Sequence, residues 1–310
     1  MPAPNARVKK ILAAYESDSP KTKANLAKLL MQGRLGGTGR MIILPVDQGF
    51  EHGPDRSFAS NPAAYDPHYL LQLGVDAKLT AFAGPLGMLE ASVGTFGKKI
   101  PFILKANHGN SLSRFKENAN QAVVATVDDA VRLKCAGIGF TLYPGSDGQF
   151  EMIEELQEIA REAKAKGLVV VTWCYPRGGN ISKDGETGID VIAYSAHMAA
   201  LLGSHIIKVK LPSSFIEQPE AKKAIEGAGI QLATLKDRVA HVMKCAFAGR
   251  RLVVFSGGAT KGTEDVLEET RAIHQGGGNG SIIGRNCFQR PRTEALKLLD
   301  DMTKIYLGKV

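Results

Sequence analysis

Leu168-Val169-Val170-Val171-Thr172-Trp173-Cys174-Tyr175 is apolar at nearly every position. A strand with one wet face alternates apolar and polar residues. A continuous apolar run of this length suits a strand buried on both faces, as in a parallel sheet covered by helices. Seven further runs of this kind follow the same logic: Met41–Val46, Asp76–Phe82, Phe102–Asn107, Gly137–Tyr143, His205–Leu211, Leu252–Ser256 and Gly280–Gly284. Between them lie longer segments, mostly of helical pattern. Ile153, Leu156, Ile159, Ala160 and Ala163 form one apolar stripe with Glu and Lys opposite, and the segments after residues 118, 188, 231, 262 and 291 are comparable. The crossover around Leu86–Phe96 is the weakest. Eight β-then-α units in 310 residues predict a single closed (β/α)8 (TIM) barrel of the α/β class. A doubly wound open sheet is the alternative. It would more naturally carry G-x-G-x-x-G after its first strand, where this chain has Asp47-Gln48-Gly49-Phe50.

Ahead of the barrel, Ala6, Val8, Ile11, Leu12 and Tyr15 recur at helical spacing, as do Leu26, Leu29 and Leu30 after Pro20, before the glycine-rich 33–39 stretch breaks the pattern. The expected organisation is an N-terminal helical extension, residues 1–40, and a barrel domain, residues 41–310. The two helices either cap the barrel floor or contact another subunit. The composition, 44% hydrophobic and 23% charged, is that of a globular chain with a sizeable core. No apolar stretch approaches the roughly 18 residues of a membrane span. Met1-Pro2-Ala3-Pro4-Asn5 lacks a signal core, so a cytoplasmic protein with no membrane partner is expected. Cys135, Cys174, Cys245 and Cys287 are scattered and read as buried free thiols. With no C-x-x-C pair and no i, i+4 histidine pair, neither metal nor cofactor is expected. The net charge of +8 is spread along the chain, and aromatics, at 6%, do not interleave with it. Steering of an anionic small substrate fits this pattern better than nucleic-acid binding.

In such barrels chemistry sits at the C-terminal strand ends. In His205-Ile206-Ile207-Lys208-Val209-Lys210-Leu211, Lys208 and Lys210 share one face and Ile207, Val209 and Leu211 the other. The apolar set should face the helices, sending both lysines inward. Desolvation and mutual repulsion would lower an amine's pKa, and a neutral amine is a nucleophile suited to Schiff-base chemistry. Two lysines paired with barrel carboxylates is the other reading. In the fifth run Trp173 and Tyr175 share a face. The phenol is a candidate general acid/base, with aromatic packing at the mouth as the alternative. Asp47 follows the first run at the rim, either holding substrate or capping a helix, while Glu51 and His52 lie in the same loop without an assigned role. Glycine-rich ends after the seventh and eighth runs, with Ser256, Gly257 and Gly258 in one and Gly284 and Arg285 in the other, suit a phosphate, with ordinary tight turns as the alternative.

Five segments in order resemble the archaeal-type class I fructose-bisphosphate aldolases, which also occur in bacteria. They are Leu44-Pro45-Val46-Asp47-Gln48-Gly49-Phe50-Glu51-His52-Gly53-Pro54, Trp173-Cys174-Tyr175-Pro176-Arg177-Gly178, Ile207-Lys208-Val209-Lys210, Ser256-Gly257-Gly258, and Gly284-Arg285-Asn286-Cys287-Phe288-Gln289-Arg290-Pro291. The similarity runs from about residue 35 to near the end. It implies a TIM barrel acting on a phosphorylated sugar, without a cofactor, in a homo-oligomer that is often a decamer. It assigns the Schiff-base lysine to Lys208, the catalytic tyrosine to Tyr175, and active-site roles to Trp173 and Asp47. Phosphate binding falls on Ser256, Gly257, Gly258, Gly284 and Arg285. Strand spacing alone does not choose Lys208 over Lys210; the resemblance does. Two rim segments depart from the family: Leu211-Pro212-Ser213-Ser214 where archaeal members often have Tyr-Thr-Gly-Asp, and Asp47-Gln48-Gly49 where they often have Asp-His-Gly. Both bear on substrate choice. Another Schiff-base aldolase or synthase of the superfamily, such as a seven-carbon sugar synthase, is the nearest rival, and a non-catalytic sugar-phosphate binder the rival of another class.

Overall fold

A computed structural model describes residues 3–113, 119–257 and 261–309. Every apolar run contributes a barrel strand: β1 Met41–Pro45, β2 Ala81–Gly84, β3 Phe102–Lys105, β4 Gly137–Leu142, β5 Val169–Cys174, β6 Ile206–Lys210, β7 Leu252–Ser256 and β8 Gly280–Ile282. Each pairs in parallel with its neighbour, and β8 closes on β1 with Met41 opposite Gly280. The fold is a (β/α)8 barrel.

Two strand boundaries differ from the sequence reading. The run Asp76–Phe82 is not one strand. Asp66 caps a helix with Pro67 at its first turn, and that helix buries Leu70, Leu71 and Leu73 and runs on to Asp76. Lys78 then takes a positive φ of 52°, and the strand begins only at Ala81. The third run splits after Lys105. Asn107–His108 leaves the barrel to pair antiparallel with Ala122–Val123, a strand not anticipated.

Among the outer helices are Gln149–Ala165, Ile189–Leu201, Leu235–Cys245, Thr263–Gln275 and Arg292–Tyr306. Capping boxes start two of the shorter crossovers, Thr126 with Asp129 and Thr234 with Asp237. The weak second crossover is two short helices, Leu86–Glu90 and Val93–Phe96. No helix among the described residues is long and apolar enough to cross a membrane. All four cysteines are free; Cys245 is half-buried and the other three are buried.

Strand alternation divides the apolar side chains into two cores. Ile42, Leu44, Ile138, Phe140, Val170, Ile207, Val209, Val253 and Phe255 pack outward against the helices. Met41, Ile43, Ala81, Ile103, Val169, Val171, Ile206, Leu252, Val254 and Ile282 fill the barrel interior. The N-terminal helices, α1 Ala6–Ala13 and α2 Pro20–Met31, complete this inner core with Val8, Leu26, Leu29 and Leu30. Each such side chain contributes roughly 1.5–3 kcal/mol by burial. The Tyr15 hydroxyl donates to the His205 carbonyl at 2.7 Å and accepts from the Leu252 N–H at 3.2 Å, at the starts of β6 and β7. His205 Nδ1 accepts from the Val170 N–H at 2.9 Å, and Nε2 lies 2.9 Å from Asp18. The two helices therefore plug the barrel floor. The floor is apolar, and the inward polar side chains gather at the other end.

Candidate active site

Inward positions along the strands run from aliphatic at the floor to ionisable at the mouth. β1 leads through Met41, Ile43 and Pro45 to Asp47; β3 from Ile103 to Lys105; β5 from Val171 through Trp173 to Tyr175; β6 from Ile206 to Lys208 and Lys210; β7 from Val254 to Ser256. Cys174, between the aromatics, points the other way and donates to the Ser195 carbonyl in the helical layer. The mouth opens into a cavity of about 130 Å³ whose wall includes Asp47, Trp173, Tyr175, Lys208, Ser256, Gly257, Gly284 and Arg285. Gly258 lies outside the described residues. The remaining sequence-predicted positions are thus brought to one site.

Lys208 is 5% exposed, with Nζ 5.5 Å from the Trp173 ring and 5.1 Å from the Tyr175 ring. Burial pushes its pKa down to about 8, against the pull of Asp47 and Glu51 and with the help of Arg285. A buried lysine that readily loses its proton is a competent nucleophile. The sequence reading credited repulsion from Lys210, and the structure corrects this. Lys210 faces the same cavity but is paired with Glu186, 3.1 Å away, in the loop after β5. Lys183 meets the same Glu186 oxygen, Oε2, at the same distance. The reading with a paired lysine therefore holds for Lys210 and not for Lys208.

The Tyr175 hydroxyl lies 3.3 Å from Ser256 Oγ, and burial drives its pKa upward. Trp173 fits because β4 carries Gly139 beside it: a Cβ there would stand 2.3 Å from indole Cζ3. The buried Trp173 Nε1 has no hydrogen-bond partner among the described residues, which leaves a donor for a ligand. Asp47 sits at the N-cap of the short helix Gln48–His52, yet its side chain makes no capping bond. Its carboxylate is therefore not spent on the helix.

Sequence reasoning passed over one ionisable residue near the site and gave another no role. Lys105 is fully buried, hydrogen-bonded to Asn107 Oδ1 at 2.9 Å and Gln121 Oε1 at 3.4 Å, with Nζ 5.8 Å from the Trp173 ring. Burial holds its pKa down, to about 8. Its inward parity with Ile103 could have revealed it. Glu51, left without a role, lines the cavity. The Phe50 and Glu51 N–H groups both point at the Asp47 carbonyl, at 3.0 and 3.4 Å, so one helical turn stacks Glu51 over Asp47. Reading that loop as helical would have placed it. Burial, then Asp47, pushes the Glu51 pKa up to about 7, opposed by Lys105, Lys208 and Arg177. No group of three or more potential ligands among the described residues is arranged to hold a metal ion.

Comparison with known proteins identifies the family. The profile of the DeoC/LacD family aldolases matches residues 41–290. A probable class 1 fructose-bisphosphate aldolase of Chlamydia muridarum is 33% identical over 293 residues, covering 91% of this chain and 84% of the relative. The class 1 fructose-bisphosphate aldolase of Thermoproteus tenax is 33% identical over 273 residues, covering 87% of this chain and 90% of its own. An archaeal fructose-1,6-bisphosphate aldolase, solved with its catalytic lysine covalently bound to the carbinolamine intermediate of its substrate, superimposes with a TM-score of 0.76 at 30% identity, over 92% of this chain and 99% of that one. On these matches the chain belongs to the DeoC/LacD family of aldolases.

Proposed function

We propose that this protein is a class I, Schiff-base-forming fructose-bisphosphate aldolase that reversibly cleaves fructose 1,6-bisphosphate to dihydroxyacetone phosphate and glyceraldehyde 3-phosphate in glycolysis and gluconeogenesis. The observation that carries this reading is the Lys208 amine, buried at the cavity wall between two aromatic rings and shifted toward its neutral form. The neutral amine adds to the ketose carbonyl, and loss of water gives a protonated imine. This imine accepts the electron pair of the bond between the third and fourth sugar carbons as that bond breaks, leaving an enamine. Tyr175 takes the proton from the hydroxyl that becomes the aldehyde and later protonates the enamine. Asp47 and the free Trp173 N–H orient substrate hydroxyls. Ser256, Gly257, Gly258, Gly284 and Arg285 hold the phosphate on the carbonyl-bearing half.

The same reading makes residues 1–40 an extension that seals a barrel domain of residues 41–310, and makes the protein a cytoplasmic homo-oligomer, with a decamer the assembly to test by light scattering. The test of substrate is triose-phosphate release from fructose 1,6-bisphosphate, compared with fructose 1-phosphate and with longer phosphorylated ketoses. Preferred cleavage of the bisphosphate supports the assignment. Preference for another phosphorylated ketose moves the enzyme to the neighbouring synthase reading, for which the altered Leu211-Pro212-Ser213-Ser214 rim is the reason to look. Binding of all these sugars without turnover would leave a binding protein.

A further inference from the structure

The cavity wall holds a polar group that the reaction above does not use. Gln48 opens the short helix after β1 and lines the cavity together with Gly284 and Arg285. Its Oε1 is buried and has no hydrogen-bond partner among the described residues. The carboxamide lies over Gly284. A Cβ on that glycine would stand 2.9 Å from Gln48 Nε2, 3.5 Å from Gln48 Cδ and 3.2 Å from the Pro45 carbonyl oxygen. The bare backbone at the end of β8 therefore leaves the room that the amide occupies.

A glutamine placed there for packing alone would be a poor choice. Its buried acceptor goes without a partner, a cost that an apolar side chain of the same size avoids. A primary amide offers two N–H donors and one acceptor, and its dipole is positive at the nitrogen. In Gln48 the nitrogen is the end that approaches Gly284, and the oxygen lies farther off. The donor end is thus directed at the glycine-rich end of β8, where Arg285 lines the same wall. An anion is the ligand that suits an N–H donor beside a guanidinium. The other cations of the cavity wall are engaged elsewhere: Lys210 is bound to Glu186, and Lys208 stands between Trp173 and Tyr175.

We propose that Gln48 is a specificity-determining residue of this site, its Nε2 donating to an oxygen of the phosphate on the carbonyl-bearing half and so favouring phosphorylated ketoses over unphosphorylated ones. The inference deepens the aldolase reading and rests on its placement of that phosphate at Gly284 and Arg285. The contact lies away from the carbons whose bond breaks, so it holds substrate and transition state alike. Its loss therefore raises KM and leaves kcat in place. The side chain is uncharged, and a carboxylate of nearly the same shape would set a negative charge against the phosphate. Gln48→Glu is accordingly more damaging than removal of the amide altogether, and only toward ligands that carry a phosphate.

The experiment separates phosphate binding from imine chemistry. Glycerol 3-phosphate carries the phosphate and no carbonyl, and its Kd is measured by calorimetry for wild type, Gln48→Ala, Gln48→Glu and Gln48→His. In parallel, each protein is treated with unphosphorylated dihydroxyacetone and borohydride, and labelled Lys208 is counted by mass spectrometry. Loss of one hydrogen bond to a charged group should weaken glycerol 3-phosphate roughly 10-fold or more in Gln48→Ala. Gln48→Glu should bind more weakly still, and Gln48→His, which restores an N–H donor, should recover part of the loss. Labelling by dihydroxyacetone should match wild type in all three. Equal Kd values for Gln48→Ala and wild type would overturn the proposal, as would a loss of dihydroxyacetone labelling as large as the loss of phosphate binding, which marks a structural role. If Gln48→Ala fails to fold, the near-isosteric Gln48→Glu decides, and an unchanged Kd there overturns the proposal. A wild type that binds glycerol 3-phosphate but never labels at Lys208 removes the aldolase reading, while the Kd series still supports or overturns the role of Gln48.

Discussion

Gly139 is the position at which one methyl group most directly tests how the site is built. It lies inward on β4, directly beneath Trp173, and a Cβ there would fall 2.3 Å from indole Cζ3, 2.8 Å from Cη2 and 3.3 Å from Cε3. Ordinary contact begins near 3.4 Å, so the ring must retreat by about 1 Å in Gly139→Ala, in an interior packed as tightly as an organic crystal. Trp173 is 1% exposed, and the Lys105 and Lys208 ammonium groups lie within 6 Å of it, at 5.8 and 5.5 Å. Overpacking of this kind costs roughly 1–3 kcal/mol of stability. A displacement of ~1 Å beside the nucleophile lowers kcat/KM by about 100-fold. Thermal unfolding and steady-state cleavage of fructose 1,6-bisphosphate measure the two effects. A second substitution, Trp173→Phe, should return part of the stability to Gly139→Ala without restoring activity. If Gly139→Ala matched wild type in both Tm and kcat/KM, the indole would not be held where the structure places it.

Three further outcomes follow from the same geometry. Lys208→Met should abolish turnover yet stabilise the fold at pH 7, because the Lys208 pKa is lower folded (about 8) than unfolded (near 10.5), which makes the buried ammonium a destabilising charge of ~3 kcal/mol. That penalty is fully present below pH 8 and fades as pH rises from 8 towards 10.5, so denaturant titrations should show the gap between variant and wild type closing over that window. Tyr15→Phe removes the hydroxyl bridging the His205 carbonyl and the Leu252 N–H at the barrel floor and should cost about 1–3 kcal/mol. Because the site opens at the opposite end, kcat and KM should stay at wild-type values while Tm falls. Activity should also survive EDTA, since the electron sink is an imine; loss of activity on chelation would point to a metal-dependent aldolase.

The barrel was legible because its strands are buried on both faces, and period-two alternation is a strong local signal. The parity that sent Ile207 and Val209 outward sent Lys208 inward, and the parity that aimed Cys174 at the helices aimed Trp173 and Tyr175 at the cavity. What local pattern could not supply was pairing across long stretches of chain. Lys208 and Lys210 are equivalent by parity and differ only because Glu186, 24 residues back on another loop, neutralises the second. Lys105 stood inside a predicted strand, but its burial is tolerable only with Asn107 and Gln121 folded around it, and Gln121 lies 16 residues further along the chain. The strand at Ala81–Gly84 was mislaid because apolar residues at the end of a helix and the start of a strand read alike over seven positions. The N-terminal helices showed their periodicity clearly, whereas their destination depended on Tyr15 meeting a carbonyl 190 residues away.

The central claim is a nucleophilic amine at position 208, and covalent capture tests it most directly. Wild-type protein incubated with fructose 1,6-bisphosphate and reduced with borohydride should gain one triose-phosphate adduct, which peptide mass spectrometry places on Lys208 and which is missing from Lys208→Met. An adduct on Lys210 or Lys105 instead, or rapid cleavage with no adduct at all, would contradict the account.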